Sequence, residues 1–554
     1  MPNQIYDNSN LAESYSGITT PLTYSFARYV YERVYEEFCS LMGVSKEKII
    51  LNKSMFEQMI VFIGSRLYYN LLNWYRMISF LPGYSFNRDF LEKMLGVEKT
   101  YKYRQDKEAE NRLFDFFRLS RQISKIVFIL INMKRLIKNF NKQFDNIYYK
   151  INQIDLTKLD DHELEHLYIK TTEKLVGIWK VPIANDLAVM ISTGLLGKLG
   201  KKWLHDENCA SRLNALSHKS LISLDPGKEL IEMSEFIKSD KKLKNIFEQK
   251  TARDIAKILE KNKRLNFLRN YLNKFGSRTP NELKLESESM NERPDILIKI
   301  LKKIIKQPHL AKDDFISIRD DYTSLNIFQK TFFLFLKNWS QESIYQREET
   351  RLRRSLIFGF ARKIFLEKGI RLKNDGKIKD ARDIFYLETT EIFNVKNNLE
   401  QICQERKNKI CNWKDIVLPR RIETKLTISE LEKKLRKVKS DSKETKKDFC
   451  FGTVASIGGA EFVKGTSLVL TDFDPNANFN NKILVTCQTD PGWTIIFPLL
   501  KGIVVERGGM LSHAAIVARE LNIPCIVGAE DATKIFSNDK QIQMDLQKGL
   551  IKYV

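Results

Sequence analysis

Gly502-Ile503-Val504-Val505-Glu506-Arg507-Gly508-Gly509-Met510-Leu511-Ser512-His513-Ala514-Ala515-Ile516-Val517-Ala518-Arg519-Glu520-Leu521-Asn522-Ile523-Pro524-Cys525-Ile526-Val527-Gly528 is the stretch that decides the fold. Residues 502–506 are a short β-branched run, the pattern of a buried strand. Gly508 and Gly509 make a turn that side chains would obstruct. Ser512 suits an N-cap, and residues 513–521 suit a helix. Asn522 accepts the left-handed position that ends a helix, and Pro524 prevents continuation. Residues 525–527 form the next strand. The unit is therefore strand, glycine loop, helix, strand.

A histidine in the first turn of a helix faces unpaired backbone N–H groups and the positive end of the dipole. That field disfavours imidazolium and leaves a neutral, nucleophilic ring, and it stabilises a phosphoryl group attached there. A lone histidine after two glycines also reads as a half-buried cap. The full string closely resembles the phosphohistidine motif of the PEP-utilising enzymes, a family that includes pyruvate phosphate dikinase, PEP synthase and rifampicin phosphotransferase. In that family the matching histidine carries a phosphoryl group between distant sites. The resemblance implies that His513 is the catalytic nucleophile, supported by Gly508, Gly509 and Ser512. Arg519 is left open between the phosphate and Glu506.

With 554 residues the chain has room for two or three domains with proper cores. Its 43% hydrophobic and 29% charged residues are those of an ordinary globular protein. No apolar run is read as membrane-spanning; residues 126–133 are too few and lie between lysines. Residues 1–10 lack the apolar core of a signal peptide. Seven cysteines form no CxxC pair, so a reducing cytoplasm is expected. The net charge is +23, and residues 449–554 carry 9 basic and 10 acidic side chains, leaving +24 on the first 448. The lysines are scattered through helical segments without a nucleic-acid motif, so they read as solvated helix faces and no nucleic acid is expected as a partner.

Residues 10–25 hold a turn at Gly17 and Pro21 from which a helix starts, and they resemble the opening of the acceptor domain of rifampicin-phosphotransferase-like proteins. Residues 26–415 read as mostly helical. Residues 65–90 are rich in aromatics, with Arg76 as a candidate anion contact and a break at 81–84. His162-Glu163-Leu164-Glu165-His166 spells HExxH, but no third ligand follows and flanking acids suggest a charged surface, so no metal is assigned. Residues 274–283 form a loop containing Arg278 and Glu282. It resembles a Gly-x-Arg-x-Pro-x-Glu stretch of the family, which places both on the acceptor side; a solvated ion pair is the plainer reading. Residues 345–366 form a helix on which Arg347, Arg351 and Arg354 make a basic stripe, either solvent-facing or clamping transferred charge. Residues 420–448 are lysine-rich and read as a partly helical linker. Beyond residue 450, glycines and β-branched runs mark a compact α/β domain.

The expected fold class is therefore multidomain α plus α/β: a mostly α-helical acceptor-substrate-like domain (1–419), a charged linker (420–448) and a small α/β phosphohistidine swivelling domain (449–554). No P-loop, kinase glycine loop or ATP-grasp-like region is found. The resemblance implies a separate ATP-grasp partner of the PEP/pyruvate-binding type, which holds ATP and Mg2+, and a small-molecule acceptor. The same histidine would serve a ligase-like enzyme that activates a metabolite for condensation. A non-catalytic regulatory remnant is a third possibility. Any relay requires the imidazole to be within reach of a binding site and to have a path to a second protein.

Overall fold

The structure, a computed structural model, describes residues 4–9, 11–81, 112–206, 209, 213, 225–306, 322, 325–394, 398–437, 448–509 and 512–554. The break expected at 81–84 falls largely outside them, as do Met510 and Leu511. The chain divides into one unit of Met1–Ile191, Leu283–Glu286 and Leu356–Ser442 and another of Ser192–Glu282, Ser287–Ser355 and Lys443–Val554.

In the first unit, strands β1 (Gln4–Asp7), β2 (Ile60–Ile63), β3 (Arg66–Asn70) and β4 (Arg421–Thr424) form an antiparallel sheet in the order β2-β3-β1-β4. Gly64 and Ser65, at φ +54° and +58°, close the β2–β3 hairpin, because positive φ at both turn residues matches the strands' right-handed twist. The 21-residue helix Pro21–Leu41 starts with proline at its first turn, where a missing N–H costs nothing. The Glu286 carboxylate sits at its positive end, accepting from the Thr20 amide (3.1 Å), the Thr20 hydroxyl (2.9 Å) and the Thr23 hydroxyl (2.6 Å). In the helix Asp161–Ile178, Glu163 of the HExxH string closes a capping box with Asp160, and His162 and His166 are exposed.

The charged stretch expected as a linker is in part folded. Residues 421–424 are β4, paired with β1, and Ile428–Lys437 is a helix whose Leu431 packs with Ile422, Tyr6, Tyr68 and Trp413. A few apolar side chains at helical and strand spacing outweigh the surrounding lysines once their distant partner surface exists.

The second unit contains helices Asp225–Ser239, Lys241–Gln249, Ala252–Ile258, Asn266–Phe275 and Pro294–Ile305. It also contains an eight-stranded sheet of β5 (Phe449–Phe451), β6 (Thr453–Ser456), β7 (Phe462–Leu470), β8 (Ile483–Thr486), β9 (Gly502–Val505), β10 (Cys525–Val527), β11 (Gln541–Asp545) and β12 (Leu550–Tyr553). The order is β5-β12-β11-β7-β8-β9-β10-β6, with β7 to β10 parallel. Strands β8, β9 and β10 are buried on both faces, which is why they read as unbroken apolar runs. Leu484, Ile503, Val505 and Val527 face a core shared with Leu230, Leu268, Leu297 and the helix of His513, whereas Val485, Val504 and Ile526 face Ala532, Phe536 and Ile542. Residues 452–469 hold β6 and β7, separated by a turn. Gly458 and Gly459 turn there at positive φ, and Gly458 lies so close to the Pro524 ring that a Cβ would sit 2.3 Å from it.

The helix expected at 345–366 is part of a longer one, Ile327–Asn374, of 48 residues. Among the described residues, the stretch Asp161–Leu204 holds one window long and apolar enough to cross a membrane, which reading the sequence passed over; 56% of that window is buried inside the protein.

Candidate active site

The glycine loop, helix and turn form as the sequence suggests. Gly508 takes φ +108°, and the position a Cβ would occupy at Gly509 is open space. The helix runs His513–Glu520, with Ser512 at the N-cap in extended geometry and Asn522 at φ +51° beyond its end. Ser512 is a cap in position only: its buried hydroxyl makes no hydrogen bond.

His513 therefore stands at the first helical position, with its ring 3% exposed. Its Nε2 lies 2.9 Å from the Thr494 hydroxyl, which also lies 2.8 Å from the Pro491 carbonyl. Thr494 is placed by a 3-10 helix, Pro491–Leu499, whose N-cap Asp490 accepts from the Gly492 amide at 2.8 Å. The other ring nitrogen, Nδ1, faces Glu348 Oε2 at 3.7 Å, beyond hydrogen-bond reach. Neither of those two atoms has a hydrogen-bond partner. Glu348 is wholly buried, and its Oε1 accepts from Arg351 at 2.9 Å.

The electrostatics follow from this packing. Burial pushes the His513 ring below the usual imidazole range; Glu348 works against that shift, while Arg351 and Arg278 add to it. Burial alone would raise the Glu348 carboxyl, but Arg351, His513 and Arg347 together hold it well below the usual carboxylate range. Glu282 is pushed up to about 7, chiefly by burial and further by Asp490, against the pull of Arg278, Arg354 and Arg351. Arg278 is 1% exposed, and among the described residues none of its three guanidinium nitrogens has a hydrogen-bond partner, nor does either Glu282 oxygen. A buried charge in that state is costly unless a ligand completes it.

The expected residues thus separate. His513, Arg278, Glu282, Arg347 and Arg351 are linked by these interactions within one unit. Arg519 lies six residues along the histidine helix and donates from Nε to the Ala455 carbonyl of β6 at 2.7 Å, while Glu506 accepts from the Thr533 amide at 2.7 Å. Arg76 is exposed and belongs to the first unit. The ring's burial means that its path to a second protein is closed in this arrangement; of the groups acting on it, Arg278 has no hydrogen-bond partner among the described residues and Glu348 is held by Arg351. Reading the sequence missed Thr494, Glu348 and Asp490. For Glu348 a signal existed, since it sits inside the arginine stripe at three residues before Arg351.

Comparison with known proteins agrees with the resemblance. Residues 479–549 match the PEP-utilising enzyme mobile domain, and residues 183–319 match the rifampicin phosphotransferase fourth domain. The rifampicin phosphotransferase of Bacillus subtilis (strain 168) is 25% identical over 381 residues, covering 63% of this chain and 42% of that protein. The prodigiosin synthesizing transferase PigC of Serratia marcescens is 26% identical over 58% of this chain and 38% of its own. The phosphoenolpyruvate synthase of Aquifex aeolicus (strain VF5) is 37% identical over 122 residues, 22% of this chain and 14% of its own. The matched part spans less than half the length of these relatives. The chain is related to the PEP-utilising enzymes through the domain that carries His513 and, through its helical part as well, to the rifampicin phosphotransferases.

Proposed function

We propose that the chain is a phosphotransferase of the dikinase type. His513 takes the β-phosphoryl group of ATP from a separate ATP-grasp protein and passes it to a small molecule held by the helical part. ATP and Mg2+ belong to the donor protein in this scheme. The observation that supports it most is the buried Arg278 guanidinium without a hydrogen-bond partner, acting electrostatically on a neutral imidazole at a helix N-terminus. Phosphoryl oxygens complete such a cation, and they are themselves stabilised by it and by the helix end. In the transfer step an acceptor oxygen attacks phosphorus, the P–N bond breaks, and its electron pair returns to the ring. Glu282, poised near neutrality, takes the acceptor's proton, while Arg278 and Arg351 hold the moving negative charge.

The arrangement described is then the acceptor-side one, and the domain of His513 must leave the helical face to be loaded. The seam it would open has polar contacts beside the apolar core that the histidine domain shares with Leu230, Leu268 and Leu297. The Asn281 amide donates to Asp490 at 2.6 Å, Lys299 donates to Asn476 at 3.0 Å, and Lys303 donates to the Pro475 carbonyl at 2.8 Å. Gly492 lies flat against the Thr279–Pro280 peptide. Water replaces these polar contacts at small net cost, so the cost of opening comes mainly from the shared apolar core.

The similarity to PigC supports a second reading, in which phosphoryl transfer activates a metabolite for condensation in a biosynthetic step. Both readings use His513. The test is turnover with the ATP-binding partner, ATP and a panel of hydroxyl and carboxylate acceptors. A stable phosphorylated product supports the first reading, and a condensed product with released phosphate supports the second. His513→Gln should do neither while keeping its fold. Wild-type turnover by that variant overturns both and leaves a regulatory role.

A further inference from the structure

His513 Nδ1 and Glu348 Oε2 face each other at 3.7 Å. A neutral imidazole carries one proton, on either nitrogen. If it sits on Nε2, the Nδ1 lone pair points at an ionised carboxylate 3.7 Å away, and neither atom has any other partner. Two buried acceptors facing each other repel. If the proton sits on Nδ1, it points at that carboxylate and the repulsion becomes attraction. Nε2 then presents its lone pair to the Thr494 hydroxyl at 2.9 Å. That hydroxyl has a second acceptor, the Pro491 carbonyl at 2.8 Å, to which it can turn once Nε2 is occupied. The other groups acting on the ring, Arg351 on the long helix and Arg278 on the 276–282 loop, are cations and cannot accept a proton.

We propose that Glu348 is a positioning residue that keeps the proton of His513 on Nδ1, so that Nε2 is the nitrogen that carries the phosphoryl group and releases it at this face. The inference rests on phosphoryl transfer by His513. During transfer the P–N electron pair returns to Nε2, and the ring leaves neutral because its Nδ1 proton is already in place beside Glu348. Without that proton the leaving group would be an imidazolate anion, a far poorer one. Thr494 then turns its hydroxyl from Pro491 back to the freed lone pair.

The test is histidine 15N NMR of the whole protein, with the His513 signals assigned by difference from His513→Gln, since the chain has 6 histidines. Wild type should show the Nδ1–H tautomer. In Glu348→Gln the amide can donate to Nδ1, and the tautomer should shift to Nε2–H. Glu348→Asp should restore Nδ1–H at least partly, which separates charge from mere packing. Phosphorylation with potassium phosphoramidate, read by 31P NMR, should place phosphorus on Nε2 in wild type and lose that selectivity in Glu348→Gln. An Nε2–H tautomer in wild type, or no change of tautomer in folded Glu348→Gln, overturns the proposal. These readings need no acceptor and no partner. Failure of wild-type His513 to be phosphorylated at all would count against the phosphotransferase reading while leaving the tautomer result to stand separately.

Discussion

Gly492→Val should drive the domain of His513 off the helical face without unfolding either. At Gly492 a Cβ would sit 2.1 Å from both the Pro280 nitrogen and the Thr279 carbonyl carbon. Reaching ordinary contact requires the two backbones to part by about 1.3 Å, the difference between 2.1 and 3.4 Å. The bond from the Asn281 amide to Asp490, 2.6 Å long, is then beyond hydrogen-bond reach. A hydrogen bond to a charged group contributes about 1.5–3 kcal/mol, so the equilibrium should move roughly 10- to 150-fold toward the open arrangement. Gly492 is not at positive φ, so valine brings no backbone strain to the domain itself. Diethyl pyrocarbonate acylates accessible neutral imidazoles, and peptide mass spectrometry reads the rate at His513 alone. That rate should rise by the same factor, because a ring 3% exposed is protected until the seam opens. An unchanged rate in a folded variant would refute the idea that this seam gates the histidine.

Arg278→Met should abolish transfer without lowering the melting temperature, since the buried guanidinium has no hydrogen bond to lose; calorimetry beside a transfer assay decides it. Glu282, raised to about 7 when folded, gives a pH dependence of definite sign: the folded state holds the extra proton, so stability is full at pH 4 and falls as pH rises toward 7. The loss is about 3 kcal/mol from that shift, and urea unfolding at pH 4 and 8 should show it in wild type and far less of it in Glu282→Gln. Gly64→Val should destabilise the first unit by about 2 kcal/mol or more, because φ is +54° and a Cβ would lie 2.6 Å from Leu418; thermal unfolding measures it.

The elements around His513 were legible because their signals are local. The β-branched runs at β9 and β10 could be little else, and Asn522 and Pro524 punctuate the helix where the chain turns. The site's other half was not, because it is assembled from distant segments. The sequence leaves Arg347 and Arg351 open between a solvent-facing stripe and a clamp, because the 276–282 loop and the 490–494 turn come from distant segments, and it does not single out Glu348. Thr494 carries no motif; only the 3-10 turn from Asp490 aims its hydroxyl at the ring. The lysine-rich 421–437 segment misled for the same reason, since Ile422 and Leu431 are recognisable as core only beside β1, more than four hundred residues earlier.

The role of His513 as phosphoryl carrier is tested most directly by where a label goes. The protein is incubated with an ATP-grasp partner and ATP labelled in the β-phosphate, then digested and mapped. Relay through His513 predicts label on the peptide containing that residue, lost in acid and kept in alkali. Label that is acid-stable, that lies on another residue, or that reaches an acceptor while His513 stays unmodified would contradict it.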